Sequence, residues 1–226
     1  MKALKVNAKA QGGFTLIEIA IVLVIIGLLL GGVLQGQQLI ENSRVRGAVN
    51  DFNGIPAAAY SYLDRYGRLP GDDVGAAGTL ASLTGRGGAW TTITQFGDAS
   101  GQIGGTLANT FLGTAGEEQT GFWQHLRAAG FIPGNPALTG PAALPQNPFG
   151  GLVGVTSQLV QGLPLGVNKV CMNNVTGTAA LALDTRLDDG ISNTGNFRAN
   201  AGAAPAAAAV APPYVATNVY TVCRVM

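Results

Sequence analysis

The stretch GGFTLIEIAIVLVIIGLLLGGVL, residues 12–34, decides the fold of this chain. From Phe14 to Leu34 it contains a single charged side chain, that of Glu18. At about 1.5 Å per residue, a helix of this length spans roughly 31 Å, close to the hydrocarbon thickness of a bilayer. A carboxylate in such a segment is costly and is usually paired and functional. We therefore expect a membrane helix in which Glu18 has a specific partner.

The charges before the apolar run indicate its orientation. Lys2, Lys5 and Lys9 precede it, and positive charge favours the cytoplasmic side, so the bulk of the chain is expected outside. A secretory signal peptide is one alternative, but no A-x-A-like cleavage site follows the run. A plain membrane anchor is another, and it leaves Glu18 without a role.

The composition agrees with membrane contact or tight packing between subunits. Only 11% of the 226 residues are charged and 47% are hydrophobic, whereas about 25% charged residues is usual in soluble domains. The net charge is +1, so no basic surface indicates a nucleic acid partner.

The motif GGFTLIE, followed by an apolar helix, resembles the type IV prepilin signature that type IV pilins and type II secretion pseudopilins share. The resemblance implies that a prepilin peptidase cleaves after Gly13 and N-methylates the new terminus at Phe14. It also implies that Glu18 is an assembly residue, which pairs with the amino terminus of a neighbouring subunit. That terminus would be the partner that an intramembrane carboxylate needs.

The resemblance implies a structural filament subunit, not an enzyme, whose partners are other pilin or pseudopilin subunits and the inner membrane. The chain would be a single-pass protein of the bacterial inner membrane with a cytoplasmic N-terminus, and would then enter a periplasmic or extracellular filament. No cofactor is implied. Pilus and secretion pseudopilus stay open, as do major and minor subunit, although the large Gly/Ala-rich head favours a minor or specialised one.

Two other functions are alternatives. A minor or tip pilin could act as an adhesin or bind DNA during uptake, but the sequence shows no basic or aromatic cluster that would favour this. A membrane-tethered enzyme would use His125, the only histidine, with an acid. No nucleophile elbow, metal pair or phosphate loop accompanies His125, so we expect it to have a packing role.

The expected fold is α+β, a pilin fold with one long N-terminal helix packed on a C-terminal antiparallel sheet. After Gln35 the chain turns polar but keeps one apolar stripe at helical spacing, which predicts an amphipathic second half with a kink at Pro56. The stripe consists of Val45, Ala48, Val49, Phe52, Ile55, Ala59, Leu63 and Tyr66. The predicted segments are the leader 1–13, the transmembrane and assembly helix 14–35, the amphipathic half 36–70 and the globular head 71–226.

Within the head, local patterns predict two helices and three strands. The helix Thr114–Gly130 has a Thr114–Glu117 capping-box pattern and Gly130 as its C-terminal cap. The remaining expectations are a helix at Thr178–Gly190, strands at Gly151–Val160, Val167–Asn173 and Tyr214–Val225, an extended piece at Ala89–Phe96, and a loop at Ala199–Pro213.

The two cysteines, Cys171 and Cys223, both lie in predicted strands. Because the head is expected in an oxidising compartment, we predict a Cys171–Cys223 disulfide, the alternative being two small buried apolar residues. Asp184, Asp188 and Asp189 suggest calcium, but their spacing departs from a D-x-[DN]-x-[DN]-G loop and Asp-Asp-Gly is also typical of a turn. We therefore leave calcium open and predict no metal site.

Overall fold

The structure is a computed structural model that describes Gly13 and residues 15–226. Lys2, Lys5 and Lys9 of the predicted leader and Phe14, the predicted methylation site, lie outside the described residues. The chain divides into two compact units between Asn42 and Ser43. The helix α1, Leu16–Tyr66, begins in the first unit and ends in the second.

In the second unit, α1 buries the stripe that its sequence predicts. The buried residues are Val45, Ala48, Phe52, Ile55, Ala59 and Tyr62. They follow one another at intervals of three or four, so they lie on one face. The sequence predicted Leu63 in this stripe, but Tyr62 is the fully buried residue. The helix continues through Pro56, which costs one backbone hydrogen bond.

The head contains one four-stranded sheet, and all its neighbouring strands are antiparallel. Its strands are β1 (Val153–Thr156), β2 (Lys169–Thr176), β3 (Phe197–Ala201) and β4 (Val219–Val225), in the order β1-β2-β4-β3. Phe52 of α1 contacts Phe197 of β3 edge to face, with ring centroids 5.5 Å apart. This packing of a helix on an antiparallel sheet confirms the α+β layout.

The strand β3 corrects the sequence-based prediction, which had a loop from Ala199 onward. Its sequence, FRANA, contains no β-branched residue, so local propensity does not indicate a strand. The strand forms because its backbone pairs with β4, where Ala199 faces Val222 and Ala201 faces Tyr220. The partner strand, rather than local sequence, therefore determines this element.

Three further helices complete the head: α2 (Leu80–Thr84), α3 (Glu118–Ala128) and α4 (Gly177–Leu187). Short 3₁₀ segments cover Gly88–Thr92, Leu107–Phe111 and Gly140–Ala143. The first of these contradicts the first half of the extended piece predicted at Ala89–Phe96, because residues 89–92 form a tight turn and the backbone is extended only from Ile93. The reason is packing, because the tight turn buries Trp90, which is only 5% exposed, in the core.

The predicted capping box of α3 is wrong. The helix begins at Glu118, and its N-cap residue Glu117 makes no side-chain capping hydrogen bond. Instead, the Glu117 carboxylate accepts a hydrogen bond from the Asn109 amide at 2.9 Å. The other end matches the expectation, because Gly130 has a φ of 80° and the N–H of the following residue, Phe131, reaches back to the Leu126 carbonyl at 3.0 Å.

Candidate assembly site

Glu18 lies in the first turn of α1 and forms a reciprocal cap with Thr15. The Glu18 Oε2 atom accepts hydrogen bonds from the Thr15 N–H at 2.7 Å and from the Thr15 hydroxyl at 2.8 Å. The Glu18 N–H donates to Thr15 Oγ1 at 3.3 Å. This is the geometry of a capping box, which satisfies two backbone N–H groups that the helix itself leaves without partners.

The capping box was missed in the sequence analysis, although its signal was present. Thr15 and Glu18 form the S/T-x-x-E pattern directly before an apolar run. The cost of a carboxylate in lipid predicted a partner for Glu18 in a neighbouring subunit, and none within its own chain. The structure adds a partner within the same chain, so Glu18 stabilises the first turn of its own helix.

The first part of α1 exposes a continuous apolar surface. From Leu16 to Leu34, every leucine, isoleucine and valine is at least 45% exposed. An 18-residue window of α1 has a mean hydropathy of 2.8, and none of it is buried. An apolar surface of this size requires lipid or other helices to cover it. By length and composition, this part of α1 is a candidate membrane span.

Four glycines interrupt the apolar part of α1 and the turn after it. A Cβ atom added at any of them would meet no other atom within 4 Å; they are Gly27, Gly31, Gly32 and Gly36. The fold of the described chain therefore does not require glycine at these positions. Since each glycine weakens a helix by about 1 kcal/mol relative to alanine, packing or flexibility outside the isolated chain is the remaining reason for them.

The head is held by the predicted cysteine pair. Antiparallel pairing of β2 and β4 places Cys171 directly opposite Cys223. The two residues form a disulfide with their Cα atoms 4.1 Å apart, and both are fully buried. The disulfide thus ties β4 to the neighbouring strand within the core.

His125 is a packing residue whose two ring nitrogens are both occupied. The Gly71 N–H donates to His125 Nδ1 at 3.0 Å, so His125 Nε2 carries the proton and donates to the Gln95 carbonyl at 3.0 Å. Burial lowers the pKa of His125 to about 4. The imidazole is therefore neutral at physiological pH, and neither nitrogen is available as a base.

Three carboxylates meet where α3 begins. Oxygen atoms of Asp72, Asp98 and Glu118 lie within 4.8 Å of one another. The Glu118 oxygens accept N–H groups of Asp98 at 2.8 Å and Gly104 at 2.5 Å. Asp72 likewise binds the backbone of residues 100–101. Burial and the nearby acids raise the pKa of Glu118 to about 7. These acids could ligate a cation, but in this structure they organise the loop that precedes α3.

The residues considered for calcium, Asp184, Asp188 and Asp189, also come together, with oxygen atoms within 4.8 Å. Their contacts are those of a turn. Asp184 accepts hydrogen bonds from the Gly190 N–H at 3.0 Å and the Tyr214 hydroxyl at 2.6 Å. Asp188 and Asp189 accept backbone N–H groups of the residues that follow. These hydrogen bonds explain why the three carboxylates lie together.

No match is found among curated proteins. Residues 8–34 match a family model described as the prokaryotic N-terminal methylation motif. The matched region includes Gly13, the Thr15–Glu18 capping box and the exposed apolar part of α1. The chain therefore carries the N-terminal signature of type IV pilins and pseudopilins.

Proposed function

We propose that this protein is a structural subunit of a type IV pilus or pseudopilus. The observation that supports this most directly is the methylation motif at residues 8–34, which continues into the exposed apolar helix. A prepilin peptidase would cleave between Gly13 and Phe14 and methylate the Phe14 amine. Residues 1–13 would then be the leader, 14–35 the transmembrane and assembly helix, 36–70 its amphipathic continuation and 71–226 the head.

The exposed surface of α1 supports two successive environments. As a precursor, the chain would be held in the inner membrane by the segment from Leu16 to Leu34, with its N-terminus in the cytoplasm. In the filament, the same surface would pack against the apolar helices of other subunits. One apolar surface serves both purposes, because lipid and neighbouring helices cover it equally well.

Glu18 would gain a second partner during assembly. In the single chain, its carboxylate is held by the N–H and hydroxyl of Thr15. In the filament, the charged amine of a neighbouring Phe14 would approach this carboxylate, and a charge pair at low dielectric can determine register. The second oxygen of Glu18, Oε1, accepts no hydrogen bond from the described residues, so it can receive the amine while Oε2 keeps the cap.

The head supports a structural role rather than catalysis. His125, the residue on which the enzymatic alternative depended, uses both ring nitrogens in backbone hydrogen bonds. The Cys171–Cys223 disulfide favours a periplasmic or extracellular location for the head.

Analysis of the native N-terminus tests the proposal. Mass spectrometry of protein from membranes and sheared filaments should find a chain that begins at methylated Phe14. Gly13→Val should block cleavage and keep the protein out of filaments, because it changes the residue directly before the cleaved bond. Gly12→Val, one residue further away, is the matched control. A mature chain that begins at Met1 or after Leu34 would contradict the proposal.

A further inference from the structure

The tripeptide Asn174-Val175-Thr176 has no role in the proposed filament function. It matches the pattern Asn-x-Ser/Thr, with x other than proline, that marks an N-glycosylation acceptor in exported proteins. It is the only match in the 226 residues. A three-residue pattern also arises by chance, so its meaning depends on where the fold places the asparagine and the threonine. All three residues lie at the end of β2.

The end of β2 presents both recognised side chains to solvent. Asn174 and Thr176 are exposed, whereas Val175 between them is fully buried. The core is therefore filled by the residue that the pattern leaves free, and the two residues that the pattern specifies point away from it. An enzyme that approaches from solvent can contact the asparagine amide and the threonine hydroxyl together.

A bulge in β2 brings Asn174 out of the regular sheet. The register between β2 and β4 shifts between Met172 and Val175, and Asn174 has a φ of 60°. A bulge leaves its extra residue unpaired and bends the strand, and asparagine is one of the few residues that adopt the left-handed conformation readily. A group attached to the Asn174 side chain would thus extend into solvent without separating β2 from β4.

The neighbouring asparagine shows the contrast. Asn173 is half-buried, and its Oδ1 accepts the Leu152 N–H at 2.7 Å, so its side chain is part of the fold. The Asn174 Nδ2 atom donates to the Phe149 carbonyl at 3.4 Å, which is long for an N–H···O bond. Release of the Asn174 amide therefore removes only a weak contact, and its nitrogen is the one that a modifying enzyme can reach.

We propose that Asn174 is an N-glycosylation site. The inference rests on the proposed location of the head outside the cytoplasm. The Asn174 amide nitrogen forms a bond to the anomeric carbon of a sugar that is donated by a glycosyl phosphate. The bond from that carbon to the phosphate oxygen breaks, the phosphate leaves with the electron pair, and the nitrogen loses one proton to a base of the transferase. Thr176 is recognised by the transferase and is not itself modified.

Mass spectrometry of the protein from its native cells tests this proposal. After reduction of the disulfide, trypsin releases residues 170–186, because it cleaves after Lys169 and Arg186. We expect this peptide to carry the mass of one or more sugar residues, and fragmentation should place them on Asn174. The N-terminal peptide is measured in the same sample. An unmodified Asn174 in a chain that begins at Phe14 overturns this inference alone, whereas a chain that begins at Met1 contradicts the proposed function.

Thr176→Asp separates the recognition pattern from the fold. Thr176 is the N-cap of α4, and its side chain accepts the Ala179 N–H; aspartate caps a helix at least as well as threonine. Thr176→Asp and Asn174→Gln should therefore fold, as thermal melting verifies, and should lose the modification completely.

Two further variants should keep the modification. Thr176→Ser preserves the pattern, and Asn193→Gln changes an exposed asparagine that lies outside any such pattern. Modification that persists in Thr176→Asp would show that the pattern does not direct it and would overturn the assignment.

Discussion

Glu18 reaches back to Thr15, and one of its carboxylate oxygens accepts hydrogen bonds from both the N–H and the hydroxyl of that residue, at 2.7 and 2.8 Å. An acid in an apolar helix therefore stabilises the first turn of its own chain. The same acid is the proposed assembly residue. The two roles are separable, since a glutamine can maintain the capping box but cannot carry charge.

Glu18→Gln and Glu18→Ala should both remain in the membrane fraction, because each removes a charge that is costly in lipid. If Glu18 pairs with the amine of a neighbouring subunit, both variants should be depleted from sheared filaments. If capping is its only function, Glu18→Gln should assemble normally, and Thr15→Val should fail like Glu18→Ala. Immunoblots of the two fractions distinguish these results. Asp64→Asn, at an exposed acid near the end of α1, is the control for removal of a negative charge elsewhere on the same helix.

Removal of the Cys171–Cys223 disulfide should destabilise the head. The bond closes a loop with a sequence separation of 52 residues, for which the chain-entropy model gives about 4 kcal/mol. Non-reducing peptide mapping of the exported protein should find the linked peptides. Thermal melting should then show a lower transition for the Cys171→Ala/Cys223→Ala variant. Two alkylatable thiols in the folded, exported head would contradict this prediction.

Glu118 should make the head less stable as the pH rises from about 4.5 to about 7. Its pKa is raised in the folded head to about 7 from an ordinary value of 4.5. Between these values the folded state binds more protons than the unfolded one, so stability decreases with rising pH. Melting temperatures of the unchanged chain and Glu118→Gln across this range provide the measurement. The pH-dependent difference between the two should appear in this window; a constant difference would show that Glu118 does not titrate as described.

His125 should produce the opposite slope. Burial lowers its pKa to about 4 from an ordinary value of 6.5. The unfolded chain therefore binds the proton first, and the contribution of the neutral imidazole to stability is lost as the pH falls from about 6.5 to about 4. His125→Gln should remove this slope, although it lowers stability at every pH. If its melting curve against pH runs parallel to that of the unchanged chain, His125 is not the titrating group.

Gly71 should be intolerant of any side chain. It has a φ of 89°, and an added Cβ would lie 2.5 Å from the Glu118 carbonyl oxygen and 3.0 Å from the Phe122 nitrogen. Gly71→Ala should therefore cost about 2 kcal/mol or more, from strain and from displacement of α3. Gly67→Ala is the matched control, because Gly67 has a φ of 72° but open space around it. Its cost should be limited to the backbone strain, about 1 kcal/mol. Equal melting temperatures for the two variants would refute the steric argument.

Several features of this protein follow from local sequence alone. The apolar run from Phe14 to Leu34, the stripe from Val45 to Ala59 and the motif around Glu18 were all predictable. Each of these features consists of residues that are adjacent in the sequence or three to four positions apart. Helix formation depends on residues at this spacing, so the sequence predicts it directly. The capping box at Thr15 belongs to the same class and was overlooked.

Only the tertiary structure decided the remaining features, because they depend on residues that are far apart in the chain. β3 exists through pairing with β4, and the start of α3 is set by Glu118, whose carboxylate binds the loop at Asp98. His125 is neutral because Gly71 and Gln95 bring their backbone groups to its ring. Local sequence patterns do not predict these contacts, because burial and hydrogen-bond partners are determined only when distant segments of the chain pack together. The sequence by itself therefore determined the long apolar helix and its methylation motif, and the packing of the head decided which of its polar groups pair with each other.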